Sequence, residues 1–332
     1  MTFSRVYLVV GVFCMSILAV YTQYVFLDMT DYVTHRTFRD LSLEQYHETL
    51  EGRRWFPFQW RVAAPWLVRA GERATRLDPH ILDVALKVLA LTAATLVLMI
   101  FTNRWTGPLG AIVAGLLYVV LTTAAFAAEG YTIYFTNDYL LLAGWFSAVE
   151  LVARRRIGAA AIVTFLTAWA KETIVLVPIV VALAWLRGKA TWRDVAWCGL
   201  AVAVPTAILR LLYPAPLKYW AWWSNVERNV PFIRTEPTII LLTLRNNLKV
   251  LLFFNVLWIL AASAAARTRR GILQDLVYAG TFYLTVAYLV MYVRELRHFL
   301  PLAIVVIPLA VTEIERRALQ VRSCRQDEYA LG

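Results

Sequence analysis

Two aspartates follow the first apolar stretch of the chain and could act as a general base. Asp28 and Asp31 lie in the sequence Phe-Leu-Asp-Met-Thr-Asp, and a spacing of three residues puts both carboxylates on one face of a helix or turn. At the mouth of a cavity with a low dielectric constant, the pKa of such a carboxylate rises toward a value useful for catalysis. Two other interpretations stay open: a carboxylate that holds a cation, and a solvated pair that only ends a helix.

Lys171 and Glu172 are adjacent charges in the middle of an apolar stretch from Ile157 to Leu186. A charge near the membrane interior costs roughly 3 kcal/mol or more, so it is retained for a partner or a function. Lys171 is a candidate to bind an anionic phosphate, and Glu172 is a candidate to orient a hydroxyl group or act as a base. The alternative is a structural ion pair with another membrane-embedded charge.

A second group of charges precedes the last apolar stretch and consists of Arg294, Glu295, Arg297 and His298. Arginine pairs bind phosphate oxygens through two parallel hydrogen bonds. The group therefore predicts a phosphate or pyrophosphate site, although a charged turn at the membrane surface would have the same composition.

An aromatic loop lies between two further acidic residues. Glu129 and Asp138 flank Tyr131, Tyr134 and Asn137, with no basic residue between them. Proteins often bind sugars with aromatic faces beside carboxylates, so we interpret this loop as a candidate sugar-binding segment. A polar turn would look the same.

The elements that position Lys171 and Glu172 form a short hairpin. Arg154–Arg156 precede the stretch 157–186, and Arg187 and Lys189 follow it. Because cytoplasmic loops hold Lys and Arg, we expect the chain to enter the membrane here and return. Each leg has about 15 residues, or roughly 22 Å, against a hydrocarbon core of about 30 Å. The tip of the hairpin therefore lies below the outer surface of the bilayer, and we expect Lys171 and Glu172 both to face the bundle interior.

Two other apolar stretches are equally short at their outer ends. Tyr139–Ala153 begins after Asn137 and Asp138, and the stretch from Phe299 to Ile314 begins after the Arg294–His298 group. Charges below the outer surface on several spans predict a polar cavity that opens to the outside, where we expect the site.

The composition indicates a polytopic membrane protein. The 332 residues are 60% hydrophobic, and the mean hydropathy is +0.60. The net charge of +11 does not indicate a nucleic-acid partner, because the basic residues occur in short segments between apolar stretches and so set orientation in a membrane. The three cysteines have no metal-ligand spacing. The sequence leaves a metal requirement open, with a divalent cation as one option.

The apolar stretches predict an all-α bundle of about ten transmembrane helices. The expected spans are Val6–Leu27, Ile81–Thr102, Leu109–Ala128, Tyr139–Ala153, 157–170, 172–186, Val195–Leu212, Ile239–Ala264, Ile272–Val293 and Phe299–Ile314.

Basic residues fall on alternate loops between these spans, which places both termini in the cytoplasm. We expect one domain, 1–332, with an outer loop at 28–80 and a cytoplasmic tail at 315–332. Within the outer loop, Leu41–Leu50 and Phe58–Val68 have the pattern of helices that lie in the membrane interface.

At these residues the chain resembles the GT-C superfamily of integral-membrane glycosyltransferases. The similarity lies in the aspartates after the first span, the long first outer loop, the short hairpin spans, the Ala-Lys-Glu-Thr tip and the Arg-Glu-Leu-Arg-His-Phe-Leu-Pro segment. The acidic motif is Asp-Met-Thr-Asp rather than an adjacent acidic pair, so Asp28 and Asp31 both remain candidates for the catalytic residue. The chain is also small for the superfamily.

The resemblance implies inverting transfer of a sugar from a polyprenyl-phosphate carrier to a lipid or glycan acceptor. The reaction would take place on the periplasmic or extracellular face of a bacterial inner membrane, among membrane lipids. A carboxylate would deprotonate the acceptor hydroxyl while basic residues stabilise the departing lipid phosphate.

Two other classes of function remain open. A transporter or flippase of a lipid-linked or anionic substrate should have inverted repeats and broken helices, and the sequence has no evident repeat. A non-catalytic assembly subunit should have membrane-embedded charges that neutralise one another. An empty cavity lined by these charges favours the enzyme, and a filled, mutually paired cluster favours the assembly subunit.

Overall fold

The described part of the chain consists of helices joined by turns and loops, and it contains no strands. The computed structural model describes residues 2–30, 38–53, 61–127, 136–214, 226, 229–230, 236–268, 271–290 and 295–331. Its α-helices are α1 (Thr2–Thr30), α2 (Phe38–Leu50), α3 (Ala63–Thr75), α4 (Pro79–Thr102), α5 (Pro108–Ala127), α6 (Thr136–Ala153), α7 (Ile157–Ala168), α8 (Leu176–Leu186), α9 (Trp192–Leu212), α10 (Pro237–Phe254), α11 (Val256–Arg267), α12 (Ile272–Val290) and α13 (Ala303–Leu331). Short 3-10 helices, Glu172–Val175 and Leu296–Leu302, precede α8 and α13. The expected all-α fold class is confirmed for these residues.

Six helical segments of the described chain are long and apolar enough to cross a membrane. They are Val6–Val25, Pro79–Thr102, Pro108–Ala127, Trp192–Leu212, Ile272–Leu289 and Leu296–Val321. A seventh is the pair α10 and α11, if the two helices count as one bent span. The protein is therefore a multi-pass helical membrane protein by length and composition, but the expected number of about ten spans is not confirmed by the described residues.

The difference in number comes from the short helices. α7 has 12 residues and α8 has 11, or roughly 18 and 17 Å, so neither is long enough to cross a hydrocarbon core of about 30 Å. α6, the remaining expected span, carries Asp138 in its first turn. It is not among the helices that are both long and apolar enough to cross a membrane.

The hairpin predicted over 157–186 is present. α7 ends at Ala168, and Trp169–Lys171 interrupt the helix before the 3-10 turn that starts at Glu172. Arg155 and Gly158, at the start of α7, line one pocket together with Gly188 and Lys189, which follow α8. The chain therefore returns to the end from which it entered.

α6 and α7 pack so closely that one position between them requires glycine. A Cβ atom added to Gly144 would lie 1.9 Å from the Thr167 hydroxyl oxygen. A side chain there would push the hairpin away from α6, because helix packing at this distance leaves no space for one.

The span expected at Ile239–Ala264 is instead two helices. α10 ends at Phe254 and α11 begins at Val256, with a bend of 67° between them. Asn255 at the break has a φ of 45°, a region in which Asn is enriched over other non-glycine residues. Hydropathy does not reveal this break, because both sides of it are apolar.

Three further boundaries differ from the expected ones. α2 begins at Phe38 rather than Leu41, and the second interfacial helix expected, Phe58–Val68, corresponds to α3 at Ala63–Thr75. The expected cytoplasmic tail continues the last helix, because α13 runs without interruption to Leu331.

The arginine-rich loops meet at one end of the bundle, which we call the basic end. Three buried carboxylates connect them: Glu150 binds Arg104 and Arg154, Asp275 binds Arg187, and Glu313 binds Arg267.

The opposite end of the bundle, which contains Lys171, is called the tip end. Tyr24 late in α1 contacts Lys87 early in α4, so α1 starts at the basic end and reaches the tip end. The arginine-rich loops lie at one end of the bundle, which agrees with the prediction that basic residues fall on alternate loops. The side of the membrane that each end faces stays a prediction.

Labelling from outside the cell should distinguish the two ends. We expect a membrane-impermeant maleimide to label His47→Cys in spheroplasts of a Cys14→Ala, Cys324→Ser variant, because α2 belongs to the expected outer loop. In a Cys14→Ala variant that keeps Cys324, labelling should require permeabilised membranes. Cys198 can stay in both variants because it is fully buried. Equal labelling of positions 47 and 324 from one side would contradict the expected topology.

Candidate functional site

The first turn of α6 connects the elements that meet at the tip end. Four consecutive side chains each bind a different part of the chain. Thr136 donates to Asp83 of α4, and Asn137 donates to the carbonyl oxygen of Arg61. Asp138 binds Lys171 and Arg297, and Tyr139 donates to Gln23 of α1. The Asn137 side chain also accepts a hydrogen bond of 3.0 Å from the backbone N–H of Ala64 at the start of α3. The turn thereby fixes α1, α3, α4, the hairpin and the segment before α13 relative to one another.

Asp138 lies between two cations. Its Oδ1 atom accepts a hydrogen bond of 2.6 Å from the Lys171 ammonium, and its Oδ2 atom accepts one from the Arg297 guanidinium. All three residues are buried, at 4%, 5% and 5% exposure for Asp138, Lys171 and Arg297. A buried charge is tolerated when it is paired and hydrogen-bonded, and this arrangement meets that condition for the carboxylate.

Glu295 and His298 extend the cluster toward the surface. Arg297 binds Glu295 through its second terminal nitrogen, and the His298 Nε2 atom lies 3.2 Å from the Glu295 carboxylate. The Glu295 side chain is one-third exposed. Tyr283 of α12 donates to the carbonyl oxygen of His298, so the 3-10 helix that carries Arg297 is held against α12.

Glu172 lies at the rim of the cluster rather than inside it. Its side chain is half exposed and lies 3.5 Å from the buried Arg61 guanidinium, the longest of the ion pairs at this site. The expectation that Lys171 and Glu172 both face the bundle interior is therefore confirmed for Lys171 and wrong for Glu172. The physical reason is the backbone, which is extended at Lys171 and enters a 3-10 turn at Glu172, so that adjacent side chains point in different directions.

The described charges of the cluster balance. Three cations, Arg61, Lys171 and Arg297, face three carboxylates, Asp138, Glu172 and Glu295. Only the last two carboxylates are accessible. An anion that approaches from the surface could therefore take the place of Glu172 or Glu295 beside the arginines, whereas Asp138 would stay in position.

An apolar groove is lined by residues close in sequence to the cluster, although none of the charged side chains of the cluster lines it. It has a volume of about 580 Å³ and is lined by Ala63, Trp66, Leu67, Leu140, Gly144, Val163, Leu166, Thr167, Trp169 and Ala170. This volume falls within the range of ligand sites in proteins, about 300–1,000 Å³. The Trp66 and Trp169 rings lie 5.6 Å apart, and exposed Leu67 and Leu166 continue the apolar surface.

A second buried charge lies one element away, between α1 and α4. The Lys87 ammonium is 2.6 Å from Asp83 and 3.3 Å from the Tyr24 hydroxyl, and Lys87 is 1% exposed. Tyr24 precedes Asp28 by four residues in α1. A lysine and an aspartate four residues apart in an otherwise apolar span are a signal that sequence reasoning could have used.

Two surface contacts fix α2 at the tip end. Arg39 binds Asp78, the residue that caps α4, and the Tyr46 hydroxyl donates to Glu72 of α3 at 3.0 Å. Burial and this hydrogen bond raise the pKa of Tyr46 to about 12. The pKa of Asp78 is lowered, mainly by a hydrogen bond from the His80 backbone N–H.

The structure brings together five of the ten predicted site residues, with a sixth at the rim. Asp138, Lys171, Glu295, Arg297 and His298 form the cluster, and Glu172 borders it. Asp28 belongs to the last turn of α1, but its side chain lies outside the described part, as do Asp31, Glu129 and Arg294. Sequence reasoning missed Arg61, Asp83 and Lys87, and it placed Asn137 in the candidate sugar-binding loop without a role of its own. Arg61 looked like an ordinary interfacial residue.

Within the described residues, His, Cys, Asp and Glu side chains do not form a group of three or more that could hold a metal ion. The carboxylates that could complete such a group, including Asp31 and Glu129, lie outside that part. A divalent cation therefore stays an option rather than a finding.

Comparison with known proteins gave no match. No protein-family model matches the chain, and no curated protein is significantly similar to it. The function is therefore argued from the geometry of the site.

Asp138→Asn should strongly destabilise the protein. The substitution leaves Lys171 buried without a carboxylate and leaves Arg297 with Glu295 alone, and removing one partner of a buried ion pair typically costs about 3–5 kcal/mol. The matched control is Asp78→Asn, which keeps a helix-capping side chain and removes only an exposed pair with Arg39, at a cost below about 1 kcal/mol. The free energy of unfolding can be measured in mixed detergent micelles with increasing dodecyl sulfate. Equal effects of the two substitutions would contradict a stabilising role for the cluster.

Proposed function

We propose that this chain is an inverting membrane glycosyltransferase that uses a polyprenyl-phosphate-linked sugar as donor and a lipid or glycan as acceptor. In this proposal the tip end faces the periplasm or the outside of a bacterial inner membrane, and both termini are cytoplasmic. α6, α7 and α8 then complete an arrangement of ten membrane segments, three of which are short.

The observation that carries the proposal is that the lining of the apolar groove and the cationic cluster come from the same short segments of the chain. Ala63 lies two residues after Arg61, Leu140 lies two residues after Asp138, and Ala170 directly precedes Lys171. A ligand that combines a long apolar chain with a phosphate group matches both surfaces at once. The groove would hold the first isoprene units, and the phosphate would lie at the cluster.

The charges of the cluster suit reversible binding of a phosphate. Arginine binds phosphate oxygens with two parallel hydrogen bonds, and Arg61 and Arg297 each already hold an accessible carboxylate, Glu172 and Glu295. The donor phosphate would replace one of these carboxylates at little electrostatic cost. After transfer, the same carboxylate would return and favour release of the lipid phosphate.

The proposed reaction needs a base next to these cations. Asp28 or Asp31 takes the proton of the acceptor hydroxyl, the acceptor oxygen bonds to the anomeric carbon, and the bond from that carbon to the phosphate oxygen breaks. The electron pair leaves with the lipid phosphate, whose charge the cations of the cluster stabilise. Glu172, half exposed at the rim, is placed to orient the acceptor hydroxyl.

One observation favours a different function. Asp138, Lys171 and Arg297 are mutually paired, and a cluster of neutralised charges is what a non-catalytic assembly subunit would contain. Under that alternative, Asp138 variants would lose stability, and the protein would bind lipid-linked sugars no better than other lipids.

Replacing the base should nearly abolish transfer. We expect Asp28→Asn or Asp31→Asn to lower kcat by about two to four orders of magnitude, because Asn keeps the volume and cannot accept the proton. The assay is transfer of radiolabelled sugar from polyprenyl phosphate to membrane-extract acceptors, with membrane insertion checked by size-exclusion chromatography. Full activity of both variants would remove these residues from the mechanism.

A polar residue in the groove should weaken donor binding. Leu166→Gln should raise the KM for the polyprenyl donor about tenfold or less and leave kcat little changed, because an amide placed against an apolar chain loses roughly 1 kcal/mol or more. Ile162→Gln is the matched control, since Ile162 lies one turn earlier on α7, is equally exposed at 64% against 63%, and does not line the groove. Equal KM values for the two variants would argue against the groove as the donor site.

A further inference from the structure

One buried carboxylate at the basic end orders three arginines. Glu313 of α13 is 1% exposed. Each of Arg267, Arg316 and Arg317 donates to it at 2.8–2.9 Å, and Ser263 of α11 adds a hydrogen bond of 3.1 Å. The three guanidinium groups come from two helices and are held around a single point.

The three arginines carry more charge than Glu313 neutralises. Arg267 and Arg317 are each 54% exposed in their side chains and Arg316 is 37% exposed. In these bonds Arg267 uses only its Nη1 atom and Arg317 only its Nε atom, so other N–H groups of both point toward the surface. The next carboxylate along α13, Glu315, lies against Gly110 at the start of α5 instead.

Apolar side chains lie next to this charge on the same helix. Ile314 is 42% exposed and Leu319 is 64% exposed, and they flank Arg316 and Arg317 in the sequence of α13. An exposed apolar surface beside exposed guanidinium groups is the arrangement expected where a helix passes from the acyl chains of a bilayer to the headgroups.

We propose that Arg267, Arg316 and Arg317 form a binding site for the phosphodiester of an anionic phospholipid in the leaflet at the basic end. Guanidinium groups bind phosphate oxygens through pairs of hydrogen bonds, and basic sites between membrane helices bind anionic headgroups. The acyl chains of the lipid would lie against Ile314 and Leu319. Glu313 acts as a positioning residue that keeps the arginines converged before the lipid arrives.

The geometry goes beyond what membrane orientation requires. An orientation signal needs only positive charge in the loop, which mobile lysines would supply. Here a nearly inaccessible carboxylate fixes three guanidinium groups across two helices, and the resulting surplus of two positive charges matches a ligand that carries negative charge and oxygen acceptors.

The test measures lipid affinity with purified full-length protein in neutral detergent. Short-chain phosphatidylglycerol, short-chain phosphatidylcholine and inorganic phosphate are titrated separately, and bound lipid is counted by native mass spectrometry. We expect phosphatidylglycerol to bind in preference to phosphatidylcholine. Arg267→Gln and Arg317→Gln should each weaken phosphatidylglycerol binding about fivefold, since one basic residue near a headgroup contributes about 1 kcal/mol.

Arg193→Gln is the matched control, because Arg193 is an exposed cation in the first turn of α9 at the same end and does not contact Glu313. Its phosphatidylglycerol affinity should equal that of the wild type. Arg317→Lys should give an intermediate loss of phosphatidylglycerol affinity, because lysine keeps the positive charge but cannot form the bidentate hydrogen bonds of a guanidinium group.

Three results would overturn the proposal. They are equal binding of the two lipids by the wild type, the same loss in Arg193→Gln as in Arg317→Gln, and binding of inorganic phosphate without a preference for phosphatidylglycerol, which would assign the site to a soluble anion. The wild-type comparison needs no substitution, so it decides the question even if an arginine variant fails to fold.

Discussion

The salt-bridged position of Asp138 is the constraint on which the tip end depends. A carboxylate at 4% exposure requires partners, and the two that it has come from separate parts of the chain, 33 and 159 residues away. Lys171 has to reach inward from the hairpin, and Arg297 has to reach inward from the segment before α13. The ends of three elements are thereby fixed at one point, and the neighbouring residues of the same turn attach α1, α3 and α4 to it.

The short helices follow from this constraint. Charged groups are tolerated only away from the acyl chains or in polar surroundings, so the two apolar helices on either side of Lys171 end before they could span a bilayer. The hairpin shows this most clearly, with helices of 12 and 11 residues.

Much of this arrangement follows from the sequence, and the remainder depends on long-range contacts. Hydropathy and the arginines around 157–186 predicted the break near Lys171, because both are local properties. The partner of Lys171 could not be predicted, since nothing near position 171 specifies Asp138. The outward direction of Glu172 depends on one 3-10 turn, and the bend at Asn255 depends on one backbone angle. Neither alters the hydropathy of its segment.

The pairing also has a consequence for biogenesis. Lys171 follows Asp138 during synthesis by 33 residues, so the two can meet as soon as the hairpin enters the membrane, and they enter as a neutral couple. Arg297 arrives much later but brings Glu295 with it, two residues away, so it also enters with its charge compensated. α6 and the hairpin together bring Asp138 and Glu172 against Lys171, and Arg61 from the preceding segment balances the second carboxylate. The tip can therefore wait, partly assembled, until the last helix closes the bundle.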